Sequence, residues 1–167
     1  KIVGTGRDPF GVVQAAIAEK SRMKNEINKE IDEVWVVFDR DDAHLNPSKT
    51  QRFTDAFANA HDHHIQIAFS NEVFELWLLL HFKHIDPVKP LPRQEIYQLL
   101  AAEITEFPAY EQFEYVHGNP SVVGAVFSIG NEFDAITRAK KLWHIHGNRS
   151  PIEANPCTKV HLLVGRL

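Results

Sequence analysis

Only one cysteine, Cys157, stands in the 167 residues. No disulfide can form within the chain, so burial and hydrogen bonding must hold the fold. A chain poor in thiols suits a reducing cytoplasm, and cytoplasmic is the expected location. Long apolar runs are missing as well. The longest, Phe74 to Phe82, is interrupted by Glu75 and His81 and falls far short of the roughly 20 residues that cross a bilayer. The opening residues carry no signal-peptide pattern, and no membrane partner is expected. Basic excess is the third absence. Lys and Arg number 18 against 22 Asp and Glu, a net charge of −4, so no global positive field gathers nucleic acid. That excludes a passive binder held by phosphate contacts. It leaves open an enzyme that reaches phosphate through bound metal ions, whose acidic ligands lower the net charge.

What is present reads as a folded protein. A hydrophobic share of 44% and a charged share of 24% are ordinary for a globular chain, and the length suits one domain with one core. The chain opens on Lys-Ile-Val without a Met, so it is expected to begin part-way through a longer natural chain. Lys1–Thr5 reads as a short strand. Apolar positions Phe10, Val13, Ala16, Ile17 and Ala18 trace one face of a helix from Pro9 to about Asn28, capped by Asp8. Val34–Phe38 is an unbroken apolar, largely β-branched run, as expected of a strand buried on both faces. A helix follows from Asn46-Pro47-Ser48 to about Ala60, then a strand at Ile65–Phe69 and an apolar helix from Phe74 to His81. Pro87, Pro90 and Pro92 mark a loop. Further helices are expected at Arg93–Glu106, Asn131–His144 and Lys159–Leu167, with 108–129 left unassigned. The alternation predicts an α/β fold, a mostly parallel sheet flanked by helices with additional helices toward the C-terminus.

Sites in such sheets form beyond the carboxyl ends of the strands. Two strands end in polar clusters, Phe38 in Asp39-Arg40-Asp41-Asp42 and Phe69 in Ser70-Asn71-Glu72. In an extended segment side chains at i and i+2 share a side, so Asp39 and Asp41 can converge on one cation. Glu75, at the start of the following helix, can face the same rim. Oxygen-only ligation by these carboxylates suits Mg²⁺ or Mn²⁺, and Asp42 is either a further ligand or a turn residue. A bare Asp-x-Asp is as often a turn that bonds to nearby amides; Ser70 and Glu75 at the next strand end favour the metal.

The segments Val-Trp-Val-Val-Phe-Asp-Arg-Asp-Asp (34–42), Ile-Ala-Phe-Ser-Asn-Glu-Val-Phe-Glu-Leu-Trp-Leu-Leu-Leu-His-Phe (67–82) and Asn-Pro-Cys-Thr-Lys-Val-His-Leu-Leu-Val (155–164) resemble the RloB-like family. These are bacterial proteins associated with restriction-modification loci and phage abortive infection. The resemblance implies a Toprim-like fold, related to the nuclease domains of overcoming-lysogenization-defect proteins. Those domains place a strand-end glutamate, an Asp-x-Asp and a Ser-x-x-x-x-Glu around divalent metals. Asp39 and Asp41 match the second motif, and Ser70 with Glu75 match the third. The first glutamate would precede Lys1, so residues 1–167 are expected as a single Toprim-like domain lacking its natural N-terminal strand. Glu72-Val73 stands where the family tends to have Pro-Cys, which adds charge to the site. The implied function is metal-dependent hydrolysis of DNA or RNA in anti-phage defence. Asp39, Asp41 and Glu75 would be catalytic, these three and Asp42 would hold metal, and Arg40, Ser70, Asn71 and Lys159 would support the site or bind phosphate. As solvated surface charges, Arg40 and Lys159 would need no such role. The alternative is a non-catalytic subunit of a defence complex, and the resemblance also implies a partner ATPase.

Other patterns carry less. His61, His63 and His64, His81 with His84, and His144 with His146 do not reach a four-ligand zinc pattern without a second cysteine, and no zinc is expected. Gly4-Thr5-Gly6 lacks the third glycine of a dinucleotide fingerprint and the Gly-Lys-Ser/Thr of a P-loop, so no nucleotide cofactor is expected. Ser70 lacks the flanking glycines of a nucleophile elbow and reads as a cap for the helix bearing Glu75. Thr158 reads as the cap of the last helix.

Overall fold

The computed structural model describes residues 4, 6–28 and 30–167. Helix α1 covers Pro9–Ile27; Pro9 presets its first turn, Asp8 accepts from the Gly11 N–H, and Asn28 closes it in the left-handed region. Strand β1 is Trp35–Asp39, followed by a 3-10 turn at Ala43–Leu45. Helix α2, Pro47–Asp62, starts where the Asn46 side chain accepts from the Ser48 and Lys49 N–H groups. Strand β2 is Gln66–Asn71 and helix α3 is Glu75–Leu79. Four more helices follow: α4 Arg93–Thr105, α5 Pro120–Ile129, α6 Glu132–His146 and α7 Val160–Val164. Strand β3, Cys157–Thr158, lies between the last two.

The sheet has the order β1-β2-β3. β1 and β2 are parallel, joined through α2, with Val36 opposite Ile67, Phe38 opposite Phe69 and Asp39 opposite Ser70. β3 runs antiparallel, pairing Ser70 with Thr158 and Asn71 with Cys157. The expected mostly parallel sheet is therefore corrected to a small mixed sheet with one parallel pair. The turn read at Asn155-Pro156-Cys157-Thr158 makes a two-residue strand before it starts a helix, and a strand so short has no period in the sequence. The strand expected at Lys1–Thr5, Gly4 apart, lies outside the described residues.

The Gln66 N–H bonds the Val34 carbonyl, and the Arg40 N–H bonds that of Ser70. The even residues of β1 thus face β2, and the backbone groups of Trp35, Val37 and Asp39 face the other way. Among the described residues no strand pairs on that side, where Val37 is 45% exposed.

The buried apolar residues form two clusters where one core was expected. Val36, Phe38 and Phe69 pack with Val13 of α1 and with Phe53, Ala56 and Ala60 of α2. Phe38, Phe53, Phe57 and Phe69 meet there edge to face or tilted. The second cluster joins α3 to α4, α5 and α6 through Leu76, Leu79, Ile96, Leu100, Val122, Val126, Ala135 and Leu142. Leu76 to Leu80 are buried throughout, as the apolar run predicts, although α3 itself covers five residues of it. The two clusters adjoin where β2 passes into α3, and the polar site lies at that junction. Among the described residues no helix is long and apolar enough to cross a membrane.

Candidate functional site

β1 and β2 end level, so Asp39 and Ser70 lie side by side on the parallel ladder. Beyond them the two loops are tied together: the Arg40 N–H donates to the Ser70 carbonyl and the Asp41 N–H to that of Glu72. Asp41 has φ +49, so the chain turns here, and a turn brings Asp41 near Asp39 where an extended i, i+2 relation was expected. Asp41 and Glu75 both act on Asp39. Burial first, then the negative charges of those two acids, pushes the Asp39 carboxyl up to about 7, with the Phe74 backbone amide and Arg93 opposing. Three of the carboxylates read from the sequence therefore share one neighbourhood.

Arg93, at the start of α4, supplies positive charge. Its guanidinium stands 2.7 Å from Asp42, 3.4 Å from Asp41 and 3.7 Å from Glu72, and its backbone N–H donates to Glu72 at 3.1 Å. Glu75 is buried, and its Oε1 accepts from the Tyr115 hydroxyl at 3.0 Å and meets His117 Nδ1 at 3.1 Å. Tyr97, one turn along α4 from Arg93, stacks on Tyr115 with ring centroids 5.2 Å apart and 24° between planes; it also contacts His117 at 5.1 Å. Burial and the Glu75 charge hold both tyrosines strongly in the protonated form, Tyr97 pushed up to about 12.

The supporting residues sit beneath this rim. Arg40 is 5% exposed; it forms an ion pair with Glu72 at 2.6 Å and donates to the Ile152 carbonyl. It is no solvated surface charge, because the guanidinium is buried and paired with Glu72. Lys159 is not one either: its Nζ sits 4.0 Å over the Trp143 ring. Ser70 shares a hydrogen bond with Thr158 at 3.0 Å and does not cap α3, which begins without a side-chain cap. β2 holds Ser70 inside the strand, four residues before Phe74 at the cap position of α3. Asn71 is fully buried and donates to the Pro151 carbonyl. Thr158 accepts from the Val160 N–H at 3.2 Å, but the residue at the cap position of α7 is Lys159, and the helix has no side-chain cap where Thr158 was expected to supply one.

Sequence reasoning missed Arg93, Tyr97, Tyr115 and His117. Arg93 carries no motif beyond following Pro92, and Tyr115 and His117 fall in the stretch left unassigned. Their i, i+2 spacing next to Gly118 was the one available signal.

Oxygen donors from Asp39, Asp41, Asp42 and Glu75 have the right chemistry for a hard divalent cation. Their side chains are engaged by Arg93, Tyr115 and His117, and among the described residues no group of three or more His, Cys, Asp or Glu side chains is gathered to hold a metal ion. The fit lies in donor type and charge, and loading would require Arg93 to withdraw.

Fold and site together define an α/β protein with an acidic centre at the carboxyl end of a parallel strand pair. The chain belongs to the RloB-like family: the family model described as RloB-like protein matches residues 1–167, its whole length. No curated protein and no solved structure matches it.

Proposed function

We infer that this chain is a metal-dependent nuclease that hydrolyses phosphodiesters of DNA or RNA in bacterial defence against phage. The observation that carries this reading is the meeting of Asp39, Asp41 and Glu75 where two parallel strands end. Asp39, Asp41 and Glu75, with Asp42 beside them, would hold Mg²⁺ or Mn²⁺; such ions activate water and stabilise a departing phosphate oxygen. Arg93 offsets the negative charge of Asp41 and Asp42 at the rim, and its fork suits the substrate phosphate. Tyr115 and His117 fix the Glu75 carboxylate by its Oε1, leaving Oε2 for the cation. Ser70 and Asn71 form the buried floor, while Arg40 and Lys159 act as supports through Glu72 and Trp143. The Toprim-like relationship of the fold and a cytoplasmic location belong to the same proposal.

A second reading is a non-catalytic partner of an ATPase. Exposure of Phe74–Phe82 would favour it, but Leu76 to Leu80 are buried. Phe127 and Phe133, 80% and 77% exposed, supply an apolar surface for it instead. Calorimetric titration of Mg²⁺ and Mn²⁺ into this chain and into Asp39→Ala separates the two. Saturable binding lost in the variant, with metal-dependent cleavage of RNA or DNA, supports the nuclease. Absence of binding together with absence of metal-dependent cleavage overturns it.

A further inference from the structure

Next to the acids the rings that fix Glu75 build an aromatic stack with Tyr97. Tyr97 and Tyr115 are stacked, and His117 lies at 36° to Tyr97 with its side chain 65% exposed. Both outer rings are held by Glu75, so their planes are set before any ligand arrives and little rotamer freedom remains to be lost on binding. Arg93 and Tyr97 share one face of α4 at i, i+4. A phosphate at Arg93 would therefore place its own base beside Tyr97 and His117.

We propose that the Tyr97–Tyr115–His117 stack is a nucleobase platform, and that the substrate class of this site is single-stranded nucleic acid. This rests on the phosphodiesterase reading above. A base inside a duplex has no free face to offer such a platform, whereas an unpaired base stacks on aromatic rings whatever its identity. The charge balance points the same way. At a net charge of −4 the chain cannot draw its affinity from phosphate contacts alone, and stacking supplies affinity without charge. The bland alternative is that the rings merely brace Glu75, and the test must separate bracing from binding.

Fluorescence anisotropy with labelled ten-nucleotide strands does so on the full chain. The probes are single-stranded DNA, single-stranded RNA, the matching duplexes and a strand of abasic residues, each in Ca²⁺ and in EDTA. Single strands are expected to bind about tenfold tighter than the duplex or the abasic strand, and His117→Ala to lose about that factor on single strands only. His117→Phe keeps a ring and gives up the Glu75 contact, so it is expected to retain binding. Equal affinity for duplex or abasic strand overturns the proposal, as does a His117→Phe variant as weak as His117→Ala. Base-dependent binding without any metal-dependent cleavage would defeat the nuclease reading and leave the platform standing. The tighter of the two sugars assigns RNA or DNA.

Discussion

Arg40 and Glu72 form an ion pair at 2.6 Å in which the side chains are 5% and 13% exposed. Glu72 is one of the two residues, Glu72-Val73, read as departing from the family pattern, and its charge does not add to the acidic rim as expected. It is spent inward on Arg40, with Arg93 at its other oxygen. Removing Glu72 leaves a buried guanidinium, whose Nε already lacks a partner, without its counter-ion. Glu72→Ala is expected to cost roughly 3 kcal/mol in urea denaturation, the scale for breaking one half of a buried pair. Asp42→Ala, which loses an exposed contact, is expected to cost under about 1 kcal/mol.

Arg93 neutralises the acids that the proposed metal needs. Arg93→Gln is expected to tighten Mn²⁺ binding several-fold by removing the competing cation, and to lower cleavage through the lost phosphate contact. Calorimetry and initial rates on the same preparation read both effects. A parallel fall in metal affinity would show that Arg93 orders the site instead of competing for it.

Burial and its acidic neighbours hold the Asp39 carboxyl near 7, well above its ordinary 3.8. The folded state therefore binds a proton that the unfolded state has released, and this contribution to stability is present below about pH 4 and lost as pH rises through 7. Asp39→Asn is expected to be more stable than the parent at pH 8, by about 4 kcal/mol at most, and close to it at pH 4. Melting curves across that range check the sign.

His161 runs the other way. Burial, aided by Lys140 and Lys159, lowers its imidazole to about 4, and Nδ1 has no partner. Here the unfolded state takes up the proton first, so this contribution is complete above about pH 6.5 and is lost as pH falls toward 4. His161→Leu is expected to flatten the acid limb of the stability profile. His81, also held down to about 4 by burial, keeps part of that limb in the variant.

The legible parts of this chain are those written in local sequence. Val34–Phe38 reads as a strand because nothing polar interrupts it, Ile65–Phe69 because Gln66 alone does, and the polar clusters that stop them mark the rim where the site lies. The helix starts at Asp8 and Asn46 showed because each of these side chains bonds amides two or three residues on. What stayed hidden depends on distant partners. Arg40 reads as surface charge until Glu72 and Ile152 are placed beside it, and Lys159 until Trp143 lies beneath it. Tyr115 and His117 have no helical or strand period to announce them; Glu75 is what gives them a position.

The Ser70–Thr158 hydrogen bond spans 88 residues, Tyr115 and His117 reach back 40 and 42 to Glu75, and Arg93 reaches 51 to Asp42. Contacts of such separation close only after the intervening chain has been ordered, since loop-closure entropy must be overcome first. A ribosome that has delivered the acids has not delivered the site. The floor under Ser70 waits for residue 158, so the centre closes only after all of the chain between them has been made.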